Sequence, residues 1–451
     1  MKKKILSALM ATAMVSGMIA IPAAAEEKVT LTMYSWWADA EQAMGDALIA
    51  SYEESHPNVD IEVTYVAEAE YLSKINTLVA ADSLPDVYYL NEYLVNDWGN
   101  AGISADLSPL FSDLGINADD IWVDTALYKS GDSIYGINYG STTILMYYNK
   151  QMFEEAGITP PSTDATQPWT WDQYVDAAVK LTKDMNGLTP ADEGFDYDSC
   201  MQFGTTMTNS WIYWLPMLYA GGTSIADDSG ENLCITSSEA KATIQAIADL
   251  AAVQQCAPSV GVTDSVFSDT SAMLMNGQLG MFIGGNFLAG NFTKESYDVG
   301  IAQIPLPPVE TATPSNMVWS AAFAMNAKSE HPKEAAEFLA YMADFNNSVQ
   351  VAASGAAALN TLPNTKTTLD TATEQYKLWT ENYSPSIAEV SSGILAKASR
   401  TGENVTLKNF SVIMNEKLVP TLDGVWLGEE TADEAISRIE TDLTAELQGA
   451  W

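Results

Sequence analysis

Histidine is almost missing from this chain. Among 451 residues only His56 and His331 carry an imidazole, and each directly precedes a proline. The residue before proline avoids the helical region, so both read as turn residues at helix boundaries. Ser–His or Cys–His catalysis needs an imidazole at the nucleophile, and a zinc site usually wants several His or Cys ligands at short spacing. Cysteine is scarce too. Cys200, Cys234 and Cys256 are the only three, and no CxxC occurs. One disulfide is possible with one thiol left over; spacing does not choose the pair, and the cysteines read as structural. Basic residues are few: 20 Lys and Arg face 59 Asp and Glu, a formal net charge of −39. That balance keeps a protein soluble and disfavours nucleic acid, anionic lipid and acidic substrates. A neutral or cationic ligand is implied. No long uncharged apolar run follows residue 25, which argues against a membrane span. Internal repeats and low-complexity tracts are absent as well.

The first residues read as a secretory signal. Lys2–Lys4 form the charged region, Ile5–Ile21 the apolar region and Ala23–Ala25 the small-residue cleavage site. No cysteine stands at that junction, so a lipid anchor is not expected. The remaining chain is too long for one comfortable core and suits two or three domains.

Val29–Tyr34 alternates as a first strand, with Trp36 and Trp37 just past its end. A helix from Asp39 places Met44, Leu48 and Tyr52 on one face. Strand Val59–Val66, helix Tyr71–Ala81 and the short strand Pro85–Leu90 follow, the last delivering Asn91 and Glu92. This α/β alternation puts ligand groups at strand carboxyl ends. Thr170 with Gln173, and Thr431 with Glu434, match the capping box of a helix start. The aromatic segment Ser210–Tyr219 and the alanine-rich Ser237–Gln255 read as helices. Strand Leu279–Ile283 ends in Gly284-Gly285-Asn286, a bare backbone open to close approach. Further helices are expected after Pro332 to about Asp344, and near Glu374–Glu381, Pro385–Ala396, Val405–Leu418 and Ala432–Leu447.

Five stretches share an order. They are Pro85-Asp86-Val87, Ala101–Leu110 (AGISADLSPL), Tyr135–Ile158 (YGINYGSTTILMYYNKQMFEEAGI), Trp169–Gln173 and Phe267–Phe287. Together they resemble the extracellular solute-binding proteins of bacterial ABC importers, in the large carbohydrate-binding class related to maltose-binding protein. The resemblance implies an α/β, two-lobe periplasmic-binding-protein-like fold with a multi-strand hinge and a ligand cleft between the lobes. The first lobe would hold residues 26–138 plus 321–350, and the second 143–317 plus 355–451. Hinge crossings would fall near 138–143, 317–321 and 350–355, the last leading into Gly355–Pro363 (GAAALNTLP).

Sugars lay apolar C–H faces on flat rings while polar groups bond their hydroxyl edges. By resemblance, Trp36, Trp37, Asn91 and Glu92 would be ligand groups of the first lobe, and Tyr139 and Ser141 would sit at the hinge. Trp211 and Trp214, three residues apart on one helix, would form a stacking platform. Gly285, Asn286 and Phe287 stand where the family commonly has a cleft tryptophan, and Trp319 lies at the second crossing. At most one of Trp36 and Trp37 faces the ligand, since neighbours in a strand point oppositely. Glu92 or Asp39 would bond hydroxyls as a fixed acceptor, or cage an ammonium with the aromatic walls.

The implied function is capture of a neutral mono- or oligosaccharide and its delivery to ABC permease subunits. The protein would act as a monomer in the periplasm or at the cell exterior, with no cofactor, no metal, no nucleic acid and no bond made or broken. Capture of a polyamine by the same fold is the first alternative. A secreted glycosidase is the second, supported only by unplaced carboxylates. Asp192, Glu193, Asp196 and Asp198 lack the alternation and glycine of an EF-hand loop and read as a solvated loop.

Overall fold

A computed structural model describes residues 28–206, 209–261, 269–292, 299–359, 361–383 and 385–449. The signal segment 1–25 and Phe267 lie outside the described residues. Two sheets organise the chain. With strands numbered in chain order, the first holds β1 (Val29–Ser35), β2 (Val59–Tyr65), β3 (Val87–Leu90), β4 (Leu127–Ser130), β5 (Ser133–Asn138) and β12 (Ala322–Met325). The second holds β6 (Thr142–Asn149), β9 (Met281–Gly285), β10 (Val299–Ala302), β11 (Asn316–Trp319) and β13 (Ser399–Thr401), while β7 (Lys183–Asp184) and β8 (Cys200–Gln202) form a separate ribbon.

The first sheet runs β2-β1-β3-β12-β5-β4, with β1 parallel to β2 and β3 and with β12 antiparallel between β3 and β5. In β1, Leu31, Met33 and Ser35 are buried and the residues between them are not, the period-two pattern of a strand with one face in a core. Strand β6 differs. Ile144, Met146 and Tyr148 join one core cluster while Leu145 and Tyr147 join another, so both faces are covered and the run reads as continuously apolar.

The chain passes between the sheets from β5 to β6 and from β11 to β12. A third segment lies alongside the first passage. Ser141 N–H donates to the Leu362 carbonyl at 2.8 Å, Leu362 N–H donates back at 3.1 Å, and Thr361 Oγ1 donates to the Ser141 carbonyl at 3.0 Å. The Asn364 amide clamps the same place, donating to the Asn138 carbonyl at 2.6 Å and the Ala343 carbonyl at 2.8 Å.

Beyond that segment the chain departs from the expected division. Thr365 bridges to Trp122, and the helix Lys366–Leu369 packs on Ala118–Ile121 of the first lobe. The helix Glu374–Asn382 packs on Phe345–Ala353, which lies on Asp39–Ser55. Pro385–Lys397 is the helix that reaches β10 and β13 of the second sheet. Residues 365–382, assigned by sequence to the second lobe, therefore pack with the first. An amphipathic helix advertises an apolar face but not its partner.

Both capping boxes form, at Thr170–Gln173 and Thr431–Glu434. The helix expected over Val405–Leu418 is split into Glu403–Thr406 and a π-helical turn Val412–Leu418, which continues as Val419–Trp426. Asn409 between them has φ +53°, a left-handed conformation that interrupts a right-handed helix. All three cysteines are free, Cys256 in the core. Among the described residues no helix is long and apolar enough to cross a membrane.

Candidate ligand site between the lobes

The parallel strands β1 and β3 of the first sheet end side by side, and the residues just beyond them line its edge toward the second lobe. Trp36 is half-buried, with its ring 4.9 Å from Tyr71 and 4.5 Å from Tyr89 between centroids. Trp37 turns the other way, as the alternation requires. It is 2% exposed, wedged among Tyr89, Tyr139 and Phe323. Of the adjacent tryptophans, Trp36 is therefore the one available to a ligand and Trp37 is core. Asp39 opens the helix Asp39–Ser55; its side chain lies outside those described. Asn91 is half-buried at the start of the helix Glu92–Asn100 and makes no capping bond.

Glu92 is not an open acceptor. It is 8% exposed, and Asn404 of the second lobe donates to its Oε1 at 2.8 Å. Burial holds its carboxyl above the usual carboxylate range, only partly offset by that hydrogen bond. Glu41, half-buried on the first turn of its helix, is also raised, by burial and then by the Glu68 carboxylate. Tyr139 and Ser141 are 3% and 0% exposed, so the hinge residues chosen from sequence are interior struts. Their passage is stitched to Leu362, which leaves no face for a ligand in this conformation.

On the second lobe, the helix Trp211–Ala220 presents Trp211 half-buried, edge-on to Phe410 at 5.0 Å. Trp214 is 1% exposed, with Nε1 donating to the Asn209 carbonyl at 3.3 Å. It walls a cavity of about 40 Å³ with Trp171, Tyr174, Tyr213 and Met217. The expected two-ring platform is thus one ring at the surface and one in the core. Because the helix is apolar almost all round, spacing alone did not show which tryptophan would be covered. Gly285 accepts from Tyr147 Oη at 2.9 Å through its carbonyl, and a Cβ on it would meet the Phe287 ring at 2.0 Å. Phe287 lies over that bare backbone, 48% exposed. Asn286 is 1% exposed, its Oδ1 accepting from Thr143 N–H, and Trp319 is 7% exposed in β11. Both are structural here.

Trp36 and Asn91 on one lobe, with Trp211 and Phe287 on the other, remain as ligand-facing candidates. Sequence reasoning missed Tyr93, Tyr213, Asn404 and Val405. Tyr93 belongs to the first lobe yet packs against the core of the second, while Val405 of the second packs into the first-lobe cluster that includes Trp36. Tyr213, between Trp211 and Trp214 on the same helix, was legible as an aromatic; Asn404 carried no signal at all.

Such a seam between two lobes suits a solute held by enclosure. A family profile described as "Bacterial extracellular solute-binding protein" matches residues 31–344. The chain belongs to this family. A solute-binding protein of this kind is similar to a protein named as a binding protein in Brucella abortus (strain 2308), 25% identical over 264 residues, 57% of this chain. The match spans 58% of that relative's length. It is also similar to a lactose-binding protein of Rhizobium radiobacter, 24% identical over 326 residues, covering 68% of this chain and 69% of that one. Among solved structures, an ABC substrate-binding protein from Listeria monocytogenes in complex with cycloalternan superposes with a TM-score of 0.76. Its sequence identity is 19%, and the match covers 94% of this chain and 100% of that one. At that identity the likeness shows the fold: two lobes of mixed α/β structure about a shared hinge.

Proposed function

We propose that this solute-binding protein captures a neutral sugar, an oligosaccharide rather than a monosaccharide, outside the cytoplasmic membrane and delivers it to an ABC permease. What supports the reading is that each lobe leaves aromatic rings partly uncovered. Trp36 stands on the first lobe and Trp211 and Phe287 on the second, each with a face or edge uncovered. A sugar contacting both lobes gains more from the closed form than from the open one, so binding drives closure. Asn91 would bond hydroxyls beside Trp36. The lactose-binding and cycloalternan-bound relatives support a saccharide ligand. The carboxyl with a contact across the seam, Glu92, is buried and already bonded to Asn404, which weakens the case for a cationic solute. The Lys-led apolar N-terminus supports export.

A thermal-shift series on the mature protein tests this, with lactose, maltotriose, cycloalternan and spermidine as probes. A ligand bound only by the folded state raises the melting temperature with concentration. A saccharide is expected to do so, and Trp36→Ala with Trp211→Ala is expected to abolish the rise. A shift with spermidine alone would overturn the proposed ligand.

A further inference from the structure

We propose that Glu92 and Asn404 form a latch between the lobes that holds part of the population closed before any ligand arrives. The segment Gly402–Thr406, which holds the helix Glu403–Thr406, is fixed to the second lobe. The Glu403 carboxylate, 4% exposed, accepts from Ile225 N–H at 3.0 Å and Ala226 N–H at 2.8 Å. Tyr219 Oη donates to the same carboxylate at 3.2 Å and accepts from Glu403 N–H at 2.8 Å. The Arg400 guanidinium lies 4.5 Å from the centre of the Tyr219 ring, adding a cation–π contact. Residue 404 is thereby presented by a rigid mount.

What the mount presents belongs to the other lobe. Asn404, 1% exposed, donates from Nδ2 to Glu92 Oε1 at 2.8 Å. Asn96, one turn further along the Glu92–Asn100 helix, donates from Nδ2 to the Val405 carbonyl at 3.3 Å. Tyr93 between them packs into the second-lobe core and Val405 into the first. These are contacts of protein on protein, and they join segments about three hundred residues apart. A hydrogen bond to a buried carboxyl is costly to leave unmade. Opening the lobes breaks it and wets both partners.

Glu92 and Asn404 are then positioning residues. They act on affinity through the fraction of molecules already closed, since a competent state populated in part lowers the apparent affinity by that fraction. The idea rests on the proposed function only in taking the seam as the place where solute is enclosed.

Small-angle scattering of the ligand-free mature protein tests the latch without a sugar, so it stands or falls apart from the ligand assignment. Asn404→Ala, and Glu92→Ala from the opposite lobe, are each expected to increase the radius of gyration. Glu92→Gln keeps an acceptor for Asn404 and is expected to stay as compact as wild type. With a saccharide that shifts the melting temperature, Asn404→Ala should dissociate several-fold faster while associating no more slowly. Equal radii for wild type, Asn404→Ala and Glu92→Ala would overturn the latch, and would leave Asn404 as an ordinary residue of the seam.

Discussion

Replacing Trp37 by alanine separates a core role from a ligand role. The indole is 2% exposed, with ring centroids of Tyr139, Tyr89 and Phe323 at 4.8, 5.2 and 5.4 Å. Its other side rests on the helix Asp39–Ser55, where a Cβ on Gly45 would stand 2.5 Å from the ring. Truncating a buried tryptophan costs about 3–5 kcal/mol, more where the walls cannot collapse. Here all three neighbouring rings are buried and anchored in strands or the hinge, so the loss belongs near about 4 kcal/mol. With a urea slope of about 3 kcal/mol/M, the midpoint of first-lobe unfolding should fall by about 1.3 M. Urea titration of the mature protein followed by far-ultraviolet circular dichroism reads this directly. Trp36→Ala, with a half-buried ring, should move the midpoint far less and weaken sugar binding far more. A Trp37→Ala protein with an unchanged midpoint and abolished binding would refute the assignment.

Two further outcomes follow from contacts at single positions. Gly204→Ala would put a Cβ 1.8 Å from the Ala178 carbonyl oxygen, a backbone atom that cannot swing aside, so second-lobe stability should drop by about 3 kcal/mol in a thermal melt. Burial raises the Glu92 carboxyl in the closed seam; the groups around it are the Asn404 amide and the neutral phenols of Tyr89, Tyr93 and Tyr128. A carboxyl whose pKa is higher closed than open takes up a proton on closing, so the closed form gains as pH falls through that window and loses as pH rises above it. The ligand-free radius of gyration should therefore shrink as pH is lowered from above toward the ordinary carboxylate range. The change should flatten in Glu92→Gln; a variant with the wild-type pH profile would remove Glu92 from that account.

Local order was readable along the chain. Period-two burial in β1, the doubly covered run of β6 and the two Thr-led capping boxes all stand where the residue pattern puts them. Each is set by neighbours a few positions away, through side-chain alternation or a cap satisfying free amides, and needs no knowledge of the rest of the molecule. The order of motifs likewise indicated two lobes with a cleft, and put Trp36 and Asn91 just past strand ends.

Tertiary structure decided what local pattern leaves free. Trp36 and Trp37 are the same residue type one position apart, yet one is left half-buried and the other fills a core against Gly45 of the helix Asp39–Ser55. Trp211 and Trp214 divide in the same way. Residues 365–382 carry an amphipathic pattern that fits either lobe, and the helix Glu374–Asn382 found its cover on Phe345–Ala353. Asn404 gave no sign of importance in sequence, since its meaning is a carboxylate more than three hundred residues earlier that only the closed fold brings within 2.8 Å. Periodicity and capping are encoded by adjacency in the chain, whereas the choice of partner across a seam is made by packing, which the chain records only once it has folded.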